Sequence, residues 1–171
     1  AARLDLAILV HANKPTFADR LADAPDALGA DAAIGFGIEC GLAGASLIWG
    51  GVLAELPNLR ICMSHGGGVL MQLLARSDNH YRNRKAIGDL LPEAPLDYAR
   101  LLYYDDLAWN VPNLRFLIDA MGAGQVGVGT DYSGASVRTI SVDDEFEALG
   151  LSAQEREQVG HGSAERFLGV S

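Results

Sequence analysis

Cysteine is scarce: Cys40 and Cys62 are the only two in 171 residues, and no C-x-x-C spacing joins them. Both sit in apolar patterns, so two buried free thiols are expected, and with them a reducing, cytoplasmic setting. Basic residues are outnumbered, 13 Lys and Arg against 22 Asp and Glu, for a net charge of −9. That balance argues against nucleic acid or an anionic membrane surface as a partner. No run approaches the roughly 18 apolar residues of a membrane span, and none has the form of a signal peptide. The G-x-S-x-G elbow of a serine hydrolase is missing. So is the G-K-[ST] that would turn the triple glycine Gly66-Gly67-Gly68 into a phosphate loop. There is no initial Met: the chain opens Ala1-Ala2-Arg3 and soon reaches strand-like sequence, as a piece of something longer would.

What is present suits one domain, residues 1–171, with a sizeable core, since 49% of residues are hydrophobic and 20% charged. Four short apolar runs read as strands: Leu4 to Val10, Leu59 to Ser64, Tyr103 to Trp109 and Gln125 to Thr130. Ala12 to Phe36 has poor periodicity and reads as a long loop, a candidate lid or site wall. Gly37 to Leu56 reads as one apolar helix stopped by Pro57-Asn58, and Gly68 to Arg84 as a helix that begins apolar and turns basic. Leu96 to Leu102, Asn113 to Met121, Ser141 to Leu149 and Ser152 to Phe167 complete the helices. Asn110 stands as an N-cap with Pro112 behind it, and Ser152 with Glu155 has capping-box spacing. Strands alternating with helices argue for a parallel sheet under covering helices. Four such units are half of a (β/α)8 TIM-type barrel, with two sheet edges left unpaired.

In such a barrel the chemistry lies at the carboxyl ends of the strands. His11, His65 and Asp131 all fall there, and imidazole with carboxylate suits a divalent ion such as zinc. Taken singly, each histidine could be a satisfied polar group and Asp131 a turn cap; the shared strand-end context favours a metal site. Arg76, Arg82 and Arg84 are either a solvated face or a carboxylate clamp. Asp105-Asp106 could orient a neighbour or bond a loop. Trp49 and Trp109 read as core or pocket wall, and His80 and His161 receive no role.

The run Gly50-Gly51-Val52-Leu53-Ala54-Glu55-Leu56-Pro57-Asn58-Leu59-Arg60-Ile61-Cys62-Met63-Ser64-His65-Gly66-Gly67-Gly68 resembles the signature of the amidohydrolase-related metal-dependent decarboxylases. Val10-His11, Gly129-Thr130-Asp131-Tyr132 and Ala164-Glu165-Arg166-Phe167-Leu168-Gly169 match the same pattern in the same order. The resemblance implies the carboxyl-terminal half of such an enzyme, strands five to eight of the barrel. It implies His11 and Asp131 as metal ligands, and His65 and Asp131 as the groups that act on bound water or substrate and move a proton. It implies Arg76 as a group reaching a substrate carboxylate across a dimer interface, hence a homo-oligomer. The implied reaction is non-oxidative decarboxylation of an aromatic or unsaturated carboxylic acid, with zinc as the metal or manganese in its place. A hydrolase or hydratase on the same scaffold is the rival reading, and a non-catalytic truncated chain another. Two departures stand out: the H-x-H pair of the family's first strand does not occur here, and Ser163 replaces an asparagine before Ala164, a change expected to bear on local structure more than on chemistry.

Overall fold

The computed structural model describes residues 1–13, 15–16, 29, 31–88, 91–132 and 138–170. Its frame is a four-stranded sheet in the order β1-β2-β3-β4, every neighbouring pair parallel. The strands are short: β1 is Ile8–Val10, β2 Ile61–Met63, β3 Tyr103–Asp105 and β4 Val126–Gly127. Each lies inside the run that predicts it, and flanking residues such as Arg60, Ser64 and Asp106 still hydrogen-bond to the neighbouring strand.

Register explains which side chains go where. Ile8 and Val10 pair with Ile61 and Met63, Met63 with Tyr104, and Tyr104 with Val126. That row points toward the helices, and Ile61, Met63, Tyr104 and Val126 are all buried. The alternate row, Leu9, Cys62, Tyr103, Asp105 and Gly127, lines the opposite, concave side around a cavity of about 300 Å³. Leu9 remains 63% exposed there. A closed eight-stranded barrel fills that interior with side chains from all of its strands. Four strands alone leave it open, as expected of a partial (β/α)8 barrel.

The helices are α1 Phe36–Trp49, α2 Val52–Glu55, α3 Leu70–Arg82, α4 Lys85–Gly88, α5 Pro95–Ala99, α6 Val111–Met121, α7 Val142–Ala148, α8 Ala153–Glu157 and α9 Ser163–Leu168. Three points correct the sequence reading. The helix expected over Gly37 to Leu56 is two, because the chain turns at Gly50-Gly51, where Gly51 takes φ 73°. The helix expected over Ser152 to Phe167 is interrupted by a π-helical turn, Gln158–Gly162. And Ala32–Trp49, a π-helical turn running into α1, is 18 residues long and apolar enough to cross a membrane on length and composition. Unbroken apolar runs do not reveal that stretch, since glycines, Ser46 and Glu39 interrupt it. It packs against α3 and the turn after β2.

Both caps read from the sequence form. Asn110 accepts a hydrogen bond from the Asn113 N–H, with Pro112 in the first turn of α6. Ser152 and Glu155 make the reciprocal capping box of α8. Buried leucines from α2, α3 and α6 (Leu53, Leu70, Leu74, Leu114 and Leu117), with Ile48 of α1, pack on the outer row of the sheet. At the other end of the sheet, the buried Ser163 hydroxyl donates to the Val126 carbonyl at 2.7 Å and so ties α9 to β4. That is a local structural role, as the departure at this position suggests.

Candidate metal centre

Adjacent parallel strands place their carboxyl ends side by side, so residues far apart in sequence meet at one rim. His11 follows β1 directly, His65 follows β2 by one residue, and Asp131 lies beyond β4. The ligand atoms of these three residues lie within 4.8 Å of one another. His11 is exposed; His65 and Asp131 are half-buried. The two histidines approach through their Nε2 atoms at 3.1 Å.

The donor set fits a divalent ion. Two nitrogens each about 2.0–2.1 Å from a zinc, subtending about 90–109°, stand about 2.8–3.4 Å apart, and the observed separation lies in that range. Two imidazoles and one carboxylate are one short of a closed tetrahedral set, the count of a catalytic site that keeps an open position. His65 Nδ1 is buried and has no hydrogen-bond partner among the described residues, which leaves Nε2 as the atom through which this ring meets polar neighbours.

How the chain holds His65 out was not legible from the sequence. From His65 to Gly68 four consecutive residues have left-handed φ values of 55°, 60°, 75° and 58°. The turn directs the first two N–H groups of the run, those of His65 and Gly66, toward one side, as anion-binding turns of backbone do. Here the anion is internal. The Asp105 carboxylate accepts from the N–H groups of His65 (2.9 Å), Gly66 (2.8 Å) and Leu107 (3.2 Å). Of the roles open to Asp105, it takes the loop hydrogen bond, and through that backbone it orients His65. Burial pushes its carboxyl above the usual range, against the lowering effect of the three N–H donors and of His65. Gly66 and Gly68 line the cavity over the cluster, and the glycines also press against the protein's own chain. A Cβ on Gly68 would lie 1.9 Å from the Gly37 carbonyl oxygen, and one on Gly67 2.8 Å from the Tyr104 ring.

A cavity of about 750 Å³ opens over the cluster, lined among others by Ile34, Phe36, Trp109 and Phe116 as well as His11, His65 and Asp131. The His65 ring lies between Phe36 (centroids 6.2 Å, planes 22° apart) and Trp109 (6.4 Å, 26°). Trp109 is thus pocket wall rather than core. Ala32, Ala33 and Ile34 also line the cavity, so the end of the long segment before α1 is a site wall. Most of that segment lies outside the described residues.

Arg76 is exposed on α3, in a separate depression lined by Trp49, Leu73, His80 and Arg84. It does not line the cavity of His11 and His65. Cys40 and Cys62 are both free, but only Cys40 is buried as expected; Cys62, on the inner row of β2, is half-buried. Burial, and then the negative charge of Asp105, pushes the Cys62 thiol up to about 12, so it is neither thiolate ligand nor nucleophile at neutral pH. Sequence reasoning singled out Asp106 but not its partners: it forms an ionic cluster with Arg138 and Glu145 behind Asp131, the three side chains between 0% and 11% exposed. No spacing rule joins three residues contributed by a strand end, a loop and a helix.

Comparison with known proteins returns one family and several enzymes. The amidohydrolase family profile matches residues 1–170. The 2-amino-3-carboxymuconate-6-semialdehyde decarboxylase of Dictyostelium discoideum is 35% identical over 100 residues, 58% of this chain and 28% of that protein. The 2-keto-4-carboxy-3-hexenedioate hydratase of Sphingobium sp. is 26% identical over 133 residues, 71% of this chain and 37% of that protein. The 5-carboxyvanillate decarboxylase of Novosphingobium aromaticivorans, solved with manganese and 4-hydroxy-3-methoxy-5-nitrobenzoic acid, superposes with a TM-score of 0.79 at 25% identity. That superposition takes in 99% of this chain and 49% of the other, so the chain spans about half the length of the solved enzyme.

Proposed function

This chain belongs to the amidohydrolase family, and from that premise we propose that it carries part of the active site of a metal-dependent, non-oxidative decarboxylase of aromatic or unsaturated carboxylic acids. The observation that carries the reading is the convergence of His11, His65 and Asp131 within 4.8 Å, at the carboxyl ends of parallel strands, beneath a cavity with aromatic walls. His11 and Asp131 would hold a divalent ion, with His65 Nε2 beside it facing the substrate. The ion supplies Lewis acidity and a template that orients the substrate. Manganese in the related carboxyvanillate decarboxylase supports a divalent metal, with zinc the alternative by donor chemistry.

The residues of the chain divide the remaining work. Phe36, Trp109 and Phe116 give a planar substrate apolar faces to lie against and exclude water from its ring. His65, held by Asp105 through its own N–H, is positioned to deliver through Nε2 the proton that takes the place of CO₂ on carbon. Asp131 is the second candidate for that transfer. Arg76 is too far round the surface to share a cavity with His65 in its own protomer, so a carboxylate role for it needs a substrate bound in a partner protomer of a homodimer. Free thiols remain compatible with a cytoplasmic setting.

The likeness to a hydratase favours one second reading, addition of water to an unsaturated carboxylate by the same ligands. Following CO₂ release from a panel of hydroxybenzoates and unsaturated diacids by the manganese-loaded protein separates the two. Release that depends on metal and is lost in His65→Asn supports the decarboxylase; hydration of the double bond without CO₂ overturns it.

A further inference from the structure

The peptide that leads from β4 to Asp131 is gripped from behind on both of its polar faces. The Gly129 N–H donates to Asp106 Oδ1 at 2.8 Å, and the Gly129 carbonyl accepts from Arg138 Nε at 3.1 Å. One residue on, the Thr130 carbonyl accepts from the Arg138 backbone N–H at 3.3 Å. The Arg138 guanidinium is itself fixed by two carboxylates, Asp106 at the end of β3 and Glu145 on α7, each in direct ion-pair contact. Its side chain is 11% exposed, those of Asp106 and Glu145 0% and 9%.

Two features make this more than a generic ion pair. A buried pair contributes little net stability, because desolvation offsets attraction, so stability alone is a weak reason for three charges here. And the residue just beyond the grip, Asp131, stands at φ 52°, a conformation an L-residue holds only where its surroundings over-determine it. A guanidinium suits this place because one planar fork reaches two carboxylates and a carbonyl at once, which an ammonium does not.

We propose that Arg138 is a positioning residue: by bridging Asp106, Glu145 and the Gly129 carbonyl, it fixes the backbone that presents the Asp131 carboxylate to His11 and His65. The inference rests on the metal-site reading above. Arg138 itself touches neither metal nor substrate; it acts through two peptide units.

The test is manganese binding to the full-length protein, followed by calorimetry and by the paramagnetic signal of the free ion, alongside thermal unfolding of the metal-free form. Arg138→Lys keeps a cation between the two carboxylates but gives up the fork. The expected result is a protein folded at the assay temperature with affinity for manganese weakened about 10–100-fold, the range for residues that orient a ligand from outside the coordination sphere. A lowered Tm with affinity within twofold of wild type means a merely structural role and overturns the proposal. Should Arg138→Lys not fold, Glu145→Gln leaves a balanced Arg138–Asp106 pair; a loss of about threefold or more supports the latch, and unchanged affinity overturns it. A wild-type protein that takes up no manganese fails the metal-site reading itself, an outcome distinct from these.

Discussion

Replacing Asp131 by glycine and, separately, by alanine isolates backbone strain from the loss of a ligand. Both variants lack the carboxylate, so both lose metal affinity alike. They differ in what φ 52° costs them. The left-handed region is unfavourable for an L-residue by about 1–2 kcal/mol and nearly free for glycine. Glycine gives back about 0.5–1 kcal/mol through the greater freedom of its unfolded chain. The difference leaves D131G more stable than D131A by roughly 0.5–1 kcal/mol, the reverse of the ordinary ranking. For a chain of this size that is about 1–4 °C in Tm. Urea denaturation of the metal-free variants measures it, with Thr130→Gly and Thr130→Ala as the neighbouring reference pair, where alanine should win. D131A as stable as D131G, or more so, would remove strain at Asp131 from the account.

Other consequences follow from the Asp105 clamp and from Arg76. Asp105→Ala leaves three N–H donors without an acceptor in a buried turn and should cost at least about 3 kcal/mol, read from denaturant midpoints. Because burial raises the Asp105 pKa above 3.8, the folded state holds that proton more tightly than the unfolded chain. Its contribution is then full below 3.8 and is lost as pH rises through the folded value, so wild type should lose stability relative to non-titrating D105N across that interval; a gain with rising pH contradicts the assignment. Arg76→Ala should weaken apparent substrate affinity in an active dimer, and unchanged affinity for every substrate turned over removes the carboxylate clamp.

The three ligand candidates were legible because each stands where an apolar run stops, and a parallel sheet brings such stops to one rim. The helix caps at Asn110 and Ser152 were legible for a similar reason, since their partners lie three residues away. What lay beyond reach depended on contacts between elements. Asp105 meets His65 only because β2 and β3 pair Cys62 with Tyr103, a register that no local pattern states. Arg138 meets Asp106 across 32 positions of sequence and Glu145 across a helix start. The break at Gly50-Gly51 was hidden by composition: in a helix already rich in Ala and Gly, two more glycines carry no contrast, and only the φ of Gly51 marks the turn.

Strain and support occur together at this site. Among the described residues four non-glycines have positive φ, and three of them, His65, Trp109 and Asp131, line one cavity. Each such residue costs about 1–3 kcal/mol, against a whole-domain stability of about 5–15 kcal/mol. A fold that holds three of them in one place needs restraints that leave the backbone no cheaper alternative. Two are visible, and both are buried carboxylates that bond to backbone rather than to substrate: Asp105 beneath His65, and Asp106, with Arg138, behind Asp131. Burial raises the pKa of both, so neither is there at a gain from its own solvation. Their return is geometric. They sit on consecutive positions at the end of β3, facing opposite sides, so this one strand end braces the backbone of two of the three ligand candidates. A shift of β3 by a single residue would therefore disturb both ligands together, even though none of the three candidates lies on β3.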